Sequence, residues 1–187
     1  MKFNMGCGLR KQPGYVNVDA TPACEPDEVW NLERTPWPWP DGCATEVRFI
    51  HSLEHMGADP AVFLAMMREL YRICAPGAQV VIHVPHPRHD NFVSDPTHVR
   101  PVMPQTLKML DLELCRSVAE QGGANTPLAL YAGVDFVFET QVTVLDEPYY
   151  GQFTRGELTA EEVNRLVRAQ NNVAREFQFT LRARKPG

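Results

Sequence analysis

The chain has no C-x-x-C pair, no run of lysines or arginines, no internal repeat and no apolar stretch near the ~20 residues that a membrane-spanning helix needs. Its longest apolar runs, residues 61–67 and 79–84, are far shorter, which excludes a helical membrane protein. Five cysteines, Cys7, Cys24, Cys43, Cys74 and Cys115, leave one over in any pairing and lack zinc-ligand spacing. They read as reduced thiols rather than a disulfide framework. The amino terminus lacks the basic-then-apolar layout of a secretory signal, so a cytoplasmic location is expected. Eighteen Lys+Arg against 23 Asp+Glu give a net charge of −5, which argues against a nucleic-acid surface.

What is present is one domain's worth of alternating elements. The 187 residues are 44% hydrophobic, enough for a real core, and no linker divides them, so residues 1–187 are read as one domain. Strands are predicted at residues 2–5, 15–19, 29–32 and 46–51. Only nine residues separate the first two, too few for a crossover helix. Asp59-Pro60 is an N-cap followed by a first-turn proline. Behind it Phe63, Met66, Met67, Leu70, Ile73 and Cys74 form one apolar stripe that Pro76-Gly77 ends. Residues 79–84 read as a strand buried on both faces. A second helix is predicted from Pro104, carrying Leu107, Leu110, Leu114 and Val118. Long strands follow at 136–145 and 176–184, separated by a helix opened by the capping box Thr159-x-x-Glu162. Strand, helix, strand in repetition is an α/β pattern.

Gly6-Cys7-Gly8 directly after the first strand is a turn where a nucleotide-like ligand can approach backbone N–H groups, although a plain tight turn has the same sequence. The third glycine of a dinucleotide fingerprint is missing and no long helix follows, so NAD and FAD are poor candidates. Asp19, ending the second strand, can accept hydrogen bonds from both hydroxyls of a ribose. Four of the six histidines fall in the segment that begins His83-Val84-Pro85-His86 and runs through His89 to Asp95-Pro96-Thr97-His98-Val99-Arg100. A metal site is conceivable from His86, His89, Asp95 and His98, but no H-E-x-x-H or comparable ligand spacing appears, so no metal is expected. Pro36-Trp37-Pro38-Trp39-Pro40 reads as a roof over the core more readily than as a ligand platform. Glu54-His55 is as much a cap as a catalytic pair.

Taken together, Phe3-Asn4-Met5-Gly6-Cys7-Gly8, Gly14-Tyr15-Val16-Asn17-Val18-Asp19, Trp30-Asn31-Leu32, Pro36-Trp37-Pro38-Trp39, His51-Ser52-Leu53-Glu54-His55 and Ala75-Pro76-Gly77 resemble the class I S-adenosylmethionine-dependent methyltransferases. The likeness is greatest to a small bacterial branch with a shortened first crossover. It implies a Rossmann-like three-layer α/β sandwich with a mostly parallel seven-stranded sheet and an antiparallel last strand. By the same resemblance Gly6, Cys7 and Gly8 would hold the methionine portion of S-adenosyl-L-methionine and Asp19 its ribose. Asn31 and Leu32 would lie beside adenine, Asn4 and His51 near the cationic centre. Asn4 and Asn31 stand where the family usually has acids. The segment from Asp95 would cover the acceptor pocket. His98 is then the first choice of general base, followed by His55 and His86, with Asp95 and Arg100 orienting the base or binding an anionic substrate. The expected activity is methyl transfer to a hydroxyl or amine of a small molecule or a modified sugar or peptide. The alternative is a non-catalytic cofactor-binding partner or regulator. Lacking a helix before its first strand, the chain leaves part of a sheet face for a second copy to cover, as in a homodimer.

Overall fold

The computed structural model describes residues 1–185. Seven strands, β1 (Lys2–Met5), β2 (Val16–Asp19), β3 (Glu28–Val29), β4 (Ala44–Ile50), β5 (Cys74–Pro85), β6 (Phe136–Leu145) and β7 (Ala174–Ala183), form one sheet in the order β3-β2-β1-β4-β5-β7-β6. Neighbours from β3 through β5 run parallel, while β7 is antiparallel to both β5 and β6. This is the α/β sheet expected of a Rossmann-like fold.

Two-residue alternation decides what each face meets. Phe3 and Met5, Val47 and Phe49, Val80 and Ile82, and Phe177 and Phe179 are buried on one face. Helix α1 (Pro60–Ile73) lays its stripe of Phe63, Met66, Met67, Leu70 and Ile73 on this core. Each such side chain is worth roughly 1.5–3 kcal/mol of burial. The Asp59 side chain accepts from Ala61 N and Pro60 opens the helix, as the sequence predicted. Pro76-Gly77 lies inside β5 instead of in the connection, because the strand starts at Cys74 as soon as α1 ends. Glu46, Arg48, Val81, His83, Gln178 and Thr180 alternate onto the opposite face, where they are half-buried. No helix occupies the β1–β2 connection to cover them.

Two expectations need correction. The third strand stops at Val29, and Leu32 turns into the core instead, its carbonyl accepting from Trp37 Nε1 at 2.9 Å. After α2 (Asp90–Val93), the single helix predicted from Pro104 is two: α3 (Pro104–Lys108) and α4 (Leu112–Glu120). Asp111 caps α4 by accepting from the N–H groups of Glu113 and Leu114, which turns the chain. Leu107 and Leu110 stay buried, but Leu114 is 38% exposed and Cys115 takes the inward place. Short helices α5 (Leu128–Ala132) and α6 (Tyr149–Thr154) carry no sequence signal that predicted them. Helix α7 (Ala160–Ala169) opens with the Thr159–Glu162 capping box complete. Its Val163 joins Leu145, Val173 and Ala174 in a second small core. Trp37 and Trp39 are buried, Trp39 with its ring 4.9 Å from that of Phe3, so the proline–tryptophan segment does roof the core.

Because β1, β4 and β5 are parallel and in register, their carboxyl ends bring Gly6, His51 and Pro85 to one edge of the sheet. That edge is where open α/β sheets take ligands.

Candidate functional site: two joined clefts

The first cleft is built on the glycine turn. The N–H groups of Gly6 and Cys7 both donate to Val18 O, at 2.8 and 3.0 Å, folding the turn back on β2. Gly8 N donates to Asp19 Oδ2 at 2.8 Å, and Thr21 N to Oδ1 at 2.9 Å. Each oxygen keeps a further lone pair for a hydroxyl donor. Gly6 has φ 67° and a Cβ there would lie 2.6 Å from that of Ser52, so packing against the turn Leu53–His55 demands glycine. A Cβ on Gly8 would meet nothing within 4 Å. Gly6, Gly8, Leu9, Arg10, His51 and Asn91 line about 540 Å³ of open space, a volume suited to a small-molecule ligand.

Of the other residues expected around a cofactor, Asn4 is buried and its amide donates to Arg10 O at 3.0 Å and Asn17 Oδ1 at 2.9 Å, tying down the loop. Cys7 is buried, and burial, with the nearby Asp19 charge, raises its thiol pKa. Asn31 is exposed and closes a turn by accepting from Glu33 N at 2.9 Å.

The second cleft, about 370 Å³, adjoins it and is lined by His51, Glu54, His55, Asp95, His98 and Glu176, with Pro85, Asn91 and Arg175. Its geometry depends on one backbone tie. The carbonyl of Glu54 accepts from the N–H groups of Val99 and Arg100, at 2.9 and 3.1 Å, which clamps the 95–100 loop onto the Leu53–His55 turn. His98 therefore lies over Glu54, its Nε2 3.9 Å from Glu54 Oε1 and 3.8 Å from Asp95 Oδ2. Its ring sits 4.6 Å from that of His55 and stacks on Phe92, while its Nδ1 is 2.8 Å from Phe92 O. His55 Nδ1 is 2.9 Å from Thr97 Oγ1. Glu54 is 1% exposed, and neither of its carboxylate oxygens has a hydrogen-bond partner among the described residues. His51 ends β4 in a left-handed conformation, with Nε2 2.7 Å from Glu176 Oε2 and Nδ1 3.7 Å from Glu54 Oε1. The Glu54 carboxylate first, and Glu176 with it, raise the His51 pKa against the opposing effect of burial.

The histidines are not all brought together. His86 lines a different cleft, accepts from Arg88 N at 3.2 Å and has its ring 4.6 Å from that of Phe177, tilted by 57°. Burial, then Arg88 and His89, lower its pKa. His89 caps α2 and pairs with Asp146 at 2.8 Å. Arg100 turns away too: its guanidinium donates to Gly57 O and covers the Phe63 ring at 4.4 Å. The cation that does line the second cleft is Arg175. Arg175 and Glu176 reach it from β7, so nothing local to the histidine loop pointed to them. Strand alternation alone, with Phe177 inward, could have placed Glu176 on the other face.

His51 and Asn91 line both clefts, so a ligand in the first can touch one in the second. No protein-family model and no curated protein matches the sequence. Among solved structures, a SAM-dependent methyltransferase from Archaeoglobus fulgidus superposes with TM-score 0.59 at 19% identity, over 97% of this chain and 85% of that one. A geranyl diphosphate methyltransferase in complex with SAM gives 0.50 at 14%, over 97% and 77%. The cyclase SpnF gives 0.56 at 15%, over 99% and 75%. The chain has the fold of these enzymes, and SpnF is a cyclase, so the reaction has to be argued from the site.

Proposed function

We propose that the protein is an S-adenosyl-L-methionine-dependent methyltransferase acting on a hydroxyl or amine of a small molecule or a modified sugar or peptide. The observation that carries this reading is the meeting of the two clefts at His51 and Asn91. One is lined by the Gly6–Gly8 turn, which is tied to the Asp19 carboxylate through Gly8 N; the other has carboxylates and imidazoles suited to handling a proton. The Gly6–Gly8 turn fits the cofactor because Gly8 opens onto empty space and Asp19 keeps lone pairs for two ribose hydroxyls. Bound there, the cofactor would supply a sulfonium methyl already activated for displacement. Asn31, exposed in the segment after β3, is the side chain proposed beside adenine, whereas Leu32 is committed to the core.

The protein's own work is positioning and proton transfer. As the acceptor's oxygen or nitrogen forms its new bond to carbon and the carbon–sulfur bond breaks, the electron pair stays on sulfur and the acceptor's proton must leave. Glu54 and His98 Nε2 face the cleft and can receive it, and Asp95 steadies His98 from 3.8 Å. His55 flanks the same position. Arg175 is the side chain placed to meet an anionic part of the acceptor.

The test is release of S-adenosylhomocysteine on incubation with S-adenosylmethionine and a metabolite extract. Wild type should release it and Asp19→Ala should not at the same cofactor concentration. Cofactor binding without turnover in any extract would instead favour a non-catalytic binding protein.

A further inference from the structure

The second cleft contains more lone pairs than protons to share. Thr97 Oγ1 donates to Asp95 Oδ1 at 2.6 Å, so toward His55 the same oxygen is an acceptor, and the 2.9 Å contact places the proton on His55 Nδ1. Phe92 O, a carbonyl, likewise requires the proton on His98 Nδ1 at 2.8 Å. In both rings Nε2 is then the nitrogen with a lone pair. Both Glu54 oxygens, buried and unpartnered, add further lone pairs at the same place. His51 Nδ1, 3.7 Å from Glu54 Oε1, is beyond hydrogen-bond reach and its Nε2 is held by Glu176 at 2.7 Å, which leaves a buried carboxylate that a bound cation would meet directly.

We infer that Glu54, His55 and His98 form a binding site for one divalent transition-metal ion. One ligand atom from each lies within 4.8 Å of the other two. Around one tetrahedral ion with bonds of ~2.0–2.2 Å the ligand atoms lie ~3.3–3.6 Å apart, so His98 Nε2 and Glu54 Oε1, 3.9 Å apart, must close by a few tenths of an ångström and the His55 nitrogen by up to ~1.5 Å. The shift falls to the loop that carries His98, whose Pro96, Thr97 and Val99 are exposed. Two imidazole nitrogens and one carboxylate select zinc, cobalt, manganese or iron over calcium and magnesium. The Nδ1–H bonds to Phe92 O and Thr97 Oγ1 are the outer contacts that fix ligating imidazoles in place. Asp95 Oδ2, 3.8 Å from His98 Nε2, is a further oxygen at the open side.

No local spacing announces this set, because Glu54-His55 and His98 are brought together by tertiary contacts, the tie of the Glu54 carbonyl to Val99 and Arg100 and the His55–Thr97 hydrogen bond. It replaces the expectation of no metal that the loop histidines gave by themselves. Where the methyl-transfer reading holds, the ion would polarise an acceptor hydroxyl and so favour oxygen over nitrogen acceptors.

The experiment is titration of Zn(II), and separately Co(II), into protein freed of metal by chelator, read by calorimetry and by the visible absorption of Co(II). Wild type should take up one ion per chain. Glu54→Gln and His98→Ala should each weaken uptake by about tenfold or more, and His89→Asn, which keeps an N-cap acceptor, should not. Circular dichroism checks folding, and His55→Ala, at the less buried edge, serves if Glu54→Gln does not fold. No stoichiometric uptake by wild type, or unchanged uptake by the folded variants, would overturn the site. Titration of S-adenosylmethionine into the metal-free protein separates the readings. Cofactor binding without metal uptake removes the cation alone and leaves the lone pairs to the acceptor's proton. Metal uptake without cofactor binding leaves the cation site standing and removes methyl transfer.

Discussion

Glu46 on β4 accepts from Tyr15 Oη at 2.6 Å and Arg48 Nε at 2.7 Å, with Lys2 Nζ 3.0 Å away. Burial would raise its pKa, but the three donors outweigh burial and bring it down to about 2. Since the folded pKa lies below the unfolded one, the stabilisation is complete above pH ~4.5 and disappears as pH falls toward ~2. Glu46→Gln should cost about 1–2 kcal/mol at pH 7, after allowance for solvent screening, and progressively less below pH ~4.5. Urea unfolding across that range checks it; a difference independent of pH would contradict the ion-pair account. Arg100 supplies a second test. The sequence expectation made it an anion binder, whereas the fold commits it to Gly57 O and the Phe63 ring. Arg100→Ala should therefore lower stability by about 1–3 kcal/mol, because it removes a charged hydrogen bond and a cation–π contact, with the affinity for S-adenosylmethionine unchanged. Melting curves and calorimetry on one sample separate the roles; a normal melting point with poor turnover would restore the anion-binding role.

Elements were readable where their determinants are local. The Asp59-Pro60 start of α1 and the Thr159–Glu162 box of α7 are each complete within four residues of sequence, and both formed as read. The break between α3 and α4 was not, because Asp111 is fixed from afar: Arg184 on the strand side donates to its Oδ1 at 2.9 Å, and Asp135 accepts from Leu112 N at 3.1 Å. Helical period continues through Leu110 and Leu114 as though nothing intervened. Asp111→Ala should cost about 1–3 kcal/mol, as it removes an N-cap and an ion-pair partner together, while Asp111→Asn, which keeps the cap, should cost less. Denaturant unfolding of the two variants measures this, and equal losses would assign the whole effect to the Arg184 charge.

In the whole molecule, the sheet order and the single packed face follow from alternation and from the parallel register of β1, β4 and β5, which also places the ligand edge. Gly6, Gly8, Asp19 and His51 were legible because each sits at the end of a predicted strand. Glu54 was visible only as half of a cap motif, and Arg175 and Glu176 not at all, since their nearness to His98 arises from β7 inserting beside β5. The face carrying Arg48, Val81 and Thr180 is half-buried. The central claim, that the Gly6–Gly8 turn and Asp19 hold S-adenosylmethionine, is tested most directly by calorimetric titration of that cofactor into wild type and Asp19→Ala. The account predicts one site per wild-type chain and an affinity about tenfold or more lower in the folded variant, from the loss of a charged acceptor for the ribose hydroxyls. No binding to wild type, or equal affinity in the two proteins, would contradict it.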